Sequence, residues 1–172
     1  MIRSCPSLFV LLGLLSGVAL ADAPVVTWPS GWEIEAVPQD GAQPQLSRQR
    51  AVKHDPGGTP VMVMELTTTA VDSGHQVNLQ GVLLEMRKSV QKDFFQGGYQ
   101  SVCNKIHPAT LSRLTALETT CTITQNGRHV LSQTLVAALD GDKAYVFSYA
   151  GQAEAYKASE DEIALARNSL KL

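Results

Sequence analysis

Residues 117–151 read LETTCTITQNGRHVLSQTLVAALDGDKAYVFSYAG, and this stretch decides the fold. Asn126-Gly127 is the dipeptide that a two-residue hairpin turn with both central residues at positive φ favours most. It separates two runs in which β-branched and apolar residues alternate with polar ones, the pattern of strands rather than helices. Asp140-Gly141-Asp142 supplies a second turn before "KAYVFSYAG". Three consecutive strands joined by tight turns predict an antiparallel meander. Parity along the first of them puts Leu117, Thr119, Cys121 and Ile123 on one face, so Cys121 points to the apolar side.

Working toward the N-terminus, "YQSVCNKI" at residues 99–106 is a fourth strand-like run, with Cys103 sharing its face with Ser101 and Tyr99. The intervening "HPATLSRLTA" at 107–116 is longer than a tight turn and is read as a loop. Before these strands the periodicity changes. From about Gln76 to Gln96, Leu79, Val82, Leu83, Met86, Val90 and Phe94 recur at spacings of three and four, which draws one apolar stripe on a helix ended by Gly97-Gly98. Gly81 inside this pattern costs about 1 kcal/mol relative to alanine, and a close approach of helix to sheet would account for it. Earlier still, "LSRQRAVKH" and "PVMVMELTT" flank Asp55-Pro56-Gly57-Gly58 and predict a hairpin, while "WEIEAV" from Trp32 alternates as a first strand.

At the other end, "QAEAYKASEDEIALARNSLKL" returns to helical spacing. Ser159 with Glu162 reads as a capping box, and Ile163, Ala166 and Leu170 as the buried face. Strands, a helix, a run of strands and a terminal helix predict an α+β fold: an antiparallel sheet of about six to seven strands sandwiched by helices.

The order resembles the PsbP-like αβα sandwich, shared by the photosystem extrinsic protein, the Ran-binding Mog-type proteins and several bacterial envelope proteins. The likeness is carried by "PSGW" at 29–32, "LLEMRKSVQKDF" at 83–94, the hairpins of residues 126–151 and "AYKASEDEIALARNSL" at 155–170. The chain is also similar to small secreted proteins of pseudomonads. The resemblance implies a binding or assembly factor without catalysis of its own, and it carries over no active-site residues.

The N-terminus bears on compartment. Arg3 precedes the apolar run Leu8 to Ala21, which ends in Ala19-Leu20-Ala21 before Asp22. This reads as a secretory signal peptide at 1–21, leaving one domain at 22–172. The run is too short for a membrane anchor, which needs about 20 residues. Cys5 leaves with the peptide, so an exported chain retains a single pair, Cys103 and Cys121, and a periplasmic or secreted location favours a disulfide between them. A redox centre would more often show Cys-x-x-Cys.

Chemistry-bearing motifs are sparse. A composition 44% apolar argues against disorder, and a net charge of −2 gives no general attraction for nucleic acid. His54, His75, His107 and His129 have no metal-ligand spacing, there is no G-x-S-x-G elbow, and "HDPGGTP" leads into a strand rather than the helix that a phosphate cradle needs. No catalytic, cofactor or metal residues are assigned. A possible binding surface is assigned to Trp28, Trp32, Lys105, Arg113, Arg128 and His129. The tryptophans equally suit packing against the sheet edge, and the basic residues, with His107, equally suit a solvated surface. The expected role is an exported, non-catalytic binding or assembly domain of the bacterial envelope, acting on an unknown protein or envelope component. The alternatives are a small secreted hydrolase, requiring His107 or His129 to meet a nucleophile and a carboxylate, and a carrier of a small apolar ligand held between sheet and helix.

Overall fold

The computed structural model describes residues 24–39, 41–72, 74 and 76–172. The signal-peptide reading and His75 lie outside the described residues. The strands are β1 (Glu33–Glu35), β2 (Leu46–His54), β3 (Pro60–Ala70), β4 (Gln100–Cys103), β5 (His107–Leu111), β6 (Leu114–Gln125), β7 (Arg128–Asp140) and β8 (Lys143–Gln152), and the helices are α1 (Leu79–Gln96), α2 (Ala153–Ala158) and α3 (Glu160–Ser169). All pairings between strands are antiparallel, in the order β1-β2-β3-β8-β7-β6-β4, with β5 also on β6. The β6-β7-β8 meander stands where residues 117–151 predict it, with Asn126 at φ 50° and Gly127 at φ 74° in the first turn. The α+β expectation holds, with an eight-stranded sheet rather than six or seven.

The additional strand is β5. "HPATL" is not part of a loop: it pairs with β6 from His107↔Glu118 to Leu111↔Leu114 through a turn at Ser112-Arg113. Pro108 is tolerated because β5 is an edge strand, where a missing N–H removes no required ladder bond. Ser112 takes φ 52° without the glycine or asparagine that usually marks such a turn, and its Oγ donates to the Leu170 carbonyl at 2.7 Å.

Two further expectations change. α1 starts at Leu79 rather than near Gln76, because Asn78 caps it by accepting from the Gly81 N–H at 3.0 Å. The atoms nearest to a Cβ on Gly81 would be those of Asn78, not of the sheet. The capping box at Ser159 does not form. Its N–H goes to the Tyr156 carbonyl, its Oγ accepts from Lys53 Nζ at 3.2 Å, and Glu162 is engaged by Lys53 at 2.6 Å and by Trp32 Nε1 at 3.1 Å. One helical pattern thereby divides into α2 and α3.

Side-chain alternation gives the sheet two faces with separate cores. On the first face, Met62, Met64 and Leu66 of β3 and Tyr145, Phe147 and Tyr149 of β8 lie under the terminal helices, where Ile163, Ala166 and Leu170 close the layer as the sequence predicts. Burying each large apolar side chain here stabilises the fold by roughly 1.5–3 kcal/mol. The strands approach so closely that a Cβ on Gly151 would stand 2.5 Å from the Val61 carbonyl oxygen.

On the second face lies α1, the crossover from β3 to the far edge. It packs on β4, β6 and β7, with Leu83 against Leu135 and Ala137. Cys103 and Cys121 face each other in the β4–β6 register and are joined by a disulfide. The bond fastens a four-residue edge strand to its neighbour.

Candidate functional site

α1 covers only one half of the second face. Register fixes what the other half presents. One row across the strands runs Gln133, Ala150, Val63, Val52, and the next pairs Leu131 with Gln152, with Val61 just beyond the last β3–β8 partners, Met62 and Gly151. A third runs Ser148, Glu65, Arg50, Glu35. These residues floor an open trough of about 680 Å³, and Phe94 near the C-terminal end of α1 stands at its side. Its volume fits the range of small-ligand sites, and its lining mixes apolar residues with polar and charged ones.

The charges at the third row are satisfied among themselves. Arg50 donates to Glu65 Oε2 through Nε at 2.8 Å and through Nη2 at 2.6 Å, and Nη1 lies 3.6 Å from Glu35. The hydrogen bond to Glu65 outweighs desolvation and raises the pKa of the guanidinium further. That end of the trough carries an ion cluster in which Arg50 lies between two carboxylates and Arg48 Nε stands 4.0 Å from Glu65.

The opposite end continues into a second cleft of about 520 Å³ carrying Tyr99, Gln125, Arg128, His129 and Glu154. Leu131 and Gln152 line both hollows. Phe94 and Tyr99, one beside each, form an edge-to-face pair with centroids 5.9 Å apart.

On the first face a smaller cleft of about 300 Å³ opens between α3 and β6. Glu118 there pairs with Arg167 at 2.6 Å and stands 3.7 Å from His107 Nε2. Behind them Tyr156 Oη, Thr134 Oγ1 and Thr120 Oγ1 form a hydrogen-bonded chain at 2.5 and 2.6 Å. Burial raises the Tyr149 and Tyr156 phenols above their usual range, so both stay protonated donors.

The sequence-selected residues scatter. Trp32 is buried with Lys53 Nζ 5.7 Å from its ring, and Trp28 packs on the same core. Arg113 sits at the start of β6, bound to Asp140 at 3.2 Å, while Arg128 and His129 lie past its other end, on the order of 35 Å away at about 3.3 Å per residue. Lys105 and His107 lie between. The basic residues therefore form no single cluster, and of the six only Arg128 and His129 border the trough system. The residues that build the trough carry no sequence signal beyond strand alternation, because its existence depends on which half of the sheet α1 leaves open.

Among the described residues, His107 and His129 form no nucleophile–base pair. His129 Nε2 lies 2.9 Å from Ser132 Oγ but also 3.0 Å from the Leu131 carbonyl, which takes the ring proton and leaves Nε2 no lone pair for the serine. His107 directs Nδ1 to the Lys105 carbonyl and Nε2 toward Glu118, with no hydroxyl between. Among the described residues no group of three or more His, Cys, Asp or Glu could hold a metal ion, and no helix is long and apolar enough to cross a membrane.

Residues 23–172 match the family described as "Domain of unknown function (DUF4946)". The chain belongs to the DUF4946 family. No curated protein matches it in sequence. The DUF4946 fold is similar to the solution structure of cyanobacterial PsbP (CyanoP) from Synechocystis sp. PCC 6803, with 14% identity and a TM-score of 0.60 over 94% of this chain and 98% of that one. It is also similar to LpqN of Mycobacterium tuberculosis, with 15% identity and a TM-score of 0.52 over 90% and 86%. The PsbP-like fold implied by the sequence resemblance is thus the fold of this DUF4946 chain.

Proposed function

We propose that the protein is an exported, non-catalytic binding domain of the bacterial envelope that holds a small, elongated apolar ligand in the trough. The observation that carries the reading is the part of the second face that α1 leaves open: half-buried Val61, Val63, Ala150 and Leu131, beside buried Val52, line an open hollow next to Phe94, while the terminal helices lie over the other sheet face. Three further points support the reading. The disulfide suits an oxidising compartment. The histidine geometry offers no base for a serine. LpqN, similar in fold, is described as involved in cell envelope biogenesis.

Between the assembly-factor and carrier forms, the dimensions of the trough favour the carrier. The test uses the neutral fluorophore N-phenyl-1-naphthylamine. The protein is expected to bind it saturably at one site. Ala150→Trp, which places a large side chain on the trough floor without entering either core, abolishes binding, and Leu165→Trp on the exposed side of α3 leaves it intact. Equal binding by the Ala150→Trp protein, or none by the wild type, refutes the reading.

A further inference from the structure

The two ends of the trough differ, and the difference selects a ligand. At one end Arg50 is held by Glu65 and Glu35, and Arg48 Nε also stands 4.0 Å from Glu65, so the cations there already face carboxylates. At the other, past Leu131 and Gln152, the surface turns polar, and among the described residues Arg128 makes no ion pair. Its neighbour His129 uses Nε2 internally. Glu154 is the one carboxylate in this cleft and forms no ion pair with Arg128 within 4.0 Å. The Phe94–Tyr99 edge-to-face pair stands at the junction, Phe94 beside the apolar hollow and Tyr99 beside the polar one.

From this polarity gradient we infer that the ligand is a single-chain amphiphile with an anionic head group, its apolar chain lying over Val63 and Ala150 and its head seated at Arg128. This rests on the trough reading above and adds the chemistry and orientation of the ligand. An unpaired guanidinium at the mouth of an apolar channel discriminates by charge-assisted hydrogen bonds to anionic oxygens, each stronger than a neutral bond. A neutral or cationic head would leave Arg128 without a partner. The ligand is taken as a detached monomer rather than as part of a bilayer, because Phe94 stands at one side of the trough and the Arg50 cluster at one end.

The experiment displaces N-phenyl-1-naphthylamine with decyl phosphate, decylphosphocholine and decyl maltoside, each below its micellar concentration, from wild type, Arg128→Gln and Ala150→Trp. Decyl phosphate is expected to compete at least about tenfold better than decyl maltoside. Arg128→Gln removes that advantage, a loss of about tenfold for one charge-assisted contact, without changing the maltoside value. Equal competition by the three amphiphiles, or an unchanged decyl phosphate value in Arg128→Gln, overturns the inference while fluorophore binding keeps the trough reading intact. Failure of the wild type to bind the fluorophore overturns both. Sedimentation with phosphatidylglycerol vesicles separates the remaining case: binding that needs Arg128 but survives Ala150→Trp means membrane docking and refutes a carried monomer.

Discussion

Breaking the Cys103–Cys121 bond perturbs the unfolded chain more than the folded one. The bond spans 18 residues of sequence. Releasing that loop restores entropy to the unfolded ensemble worth about 3 kcal/mol at 25 °C. For a domain of this size each kcal/mol moves the melting temperature by about 2–4 °C, so reduction is expected to lower it by about 6–12 °C. The folded state loses little, because Cys121 stays buried on β6 and the two strands remain paired by their ladder. β4, only four residues long and on the edge, has the least to hold it once the bond is gone. Two preparations separate the effects: reduced wild type keeps both sulfurs, whereas Cys103→Ala with Cys121→Ala also removes their packing. Urea titration of both, beside the oxidised protein, gives the stability change. Hydrogen exchange should show Val102 and Cys103 losing protection while Val136 and Phe147 keep theirs. A change below about 1 kcal/mol in the reduced protein, or free thiols in the exported protein, would refute the reasoning.

Three other outcomes follow from named contacts. Burial alone would raise the Glu162 carboxyl, but hydrogen bonds from Lys53 and Trp32 outweigh it and hold its pKa below the usual value. Its contribution is therefore present above the unfolded carboxylate pKa of about 4.3 and lost as pH falls through the lower folded value, so Glu162→Gln should flatten thermal stability against pH below about pH 4. Gly151→Ala drives a Cβ into Met62 and the Val61 carbonyl, and should lower stability by about 3 kcal/mol or more, read from the urea midpoint. Phe147→Ala opens a cavity in the first core and should cost about 3–5 kcal/mol by the same measurement, with native secondary structure retained in circular dichroism.

The parts of the fold legible in sequence are those where a local rule and the tertiary environment agree. Asn126-Gly127 specifies a turn whose flanking strands alternate cleanly, and Asp55 adds side-chain bonds to the Gly57 and Thr59 N–H groups that close the β2–β3 turn. Parity placed Cys121 on a buried face for the same reason. Where tertiary partners compete, local rules fail. Ser159 and Glu162 have the spacing of a capping box, yet Lys53 and Trp32, distant in sequence, take their side chains. β5 escaped because its proline and its glycine-free turn at Ser112 look like loop. The trough was beyond reach for a different reason. Alternation tells which residues share a face of a strand, but it does not say how far α1 extends across that face, and the six residues singled out for binding were chosen by type rather than by place.

The strand order also sets the sequence of events by which the molecule assembles. β1 to β3 can pair from local turns, and so can β6 to β8, but the two blocks join only where Met62 meets Gly151 and Ala70 meets Lys143. Joining β3 to β8 is a non-local step, which raises the barrier and slows the reaction relative to hairpin closure. A chain made from its N-terminus thus presents β3 with an open edge until the last strand, β8, has emerged. In that interval an unpaired strand bearing Val61, Met62, Val63 and Met64 is a template for pairing with another copy. Synthesis rate and chaperone supply, rather than final stability, would then govern the yield of correctly assembled protein.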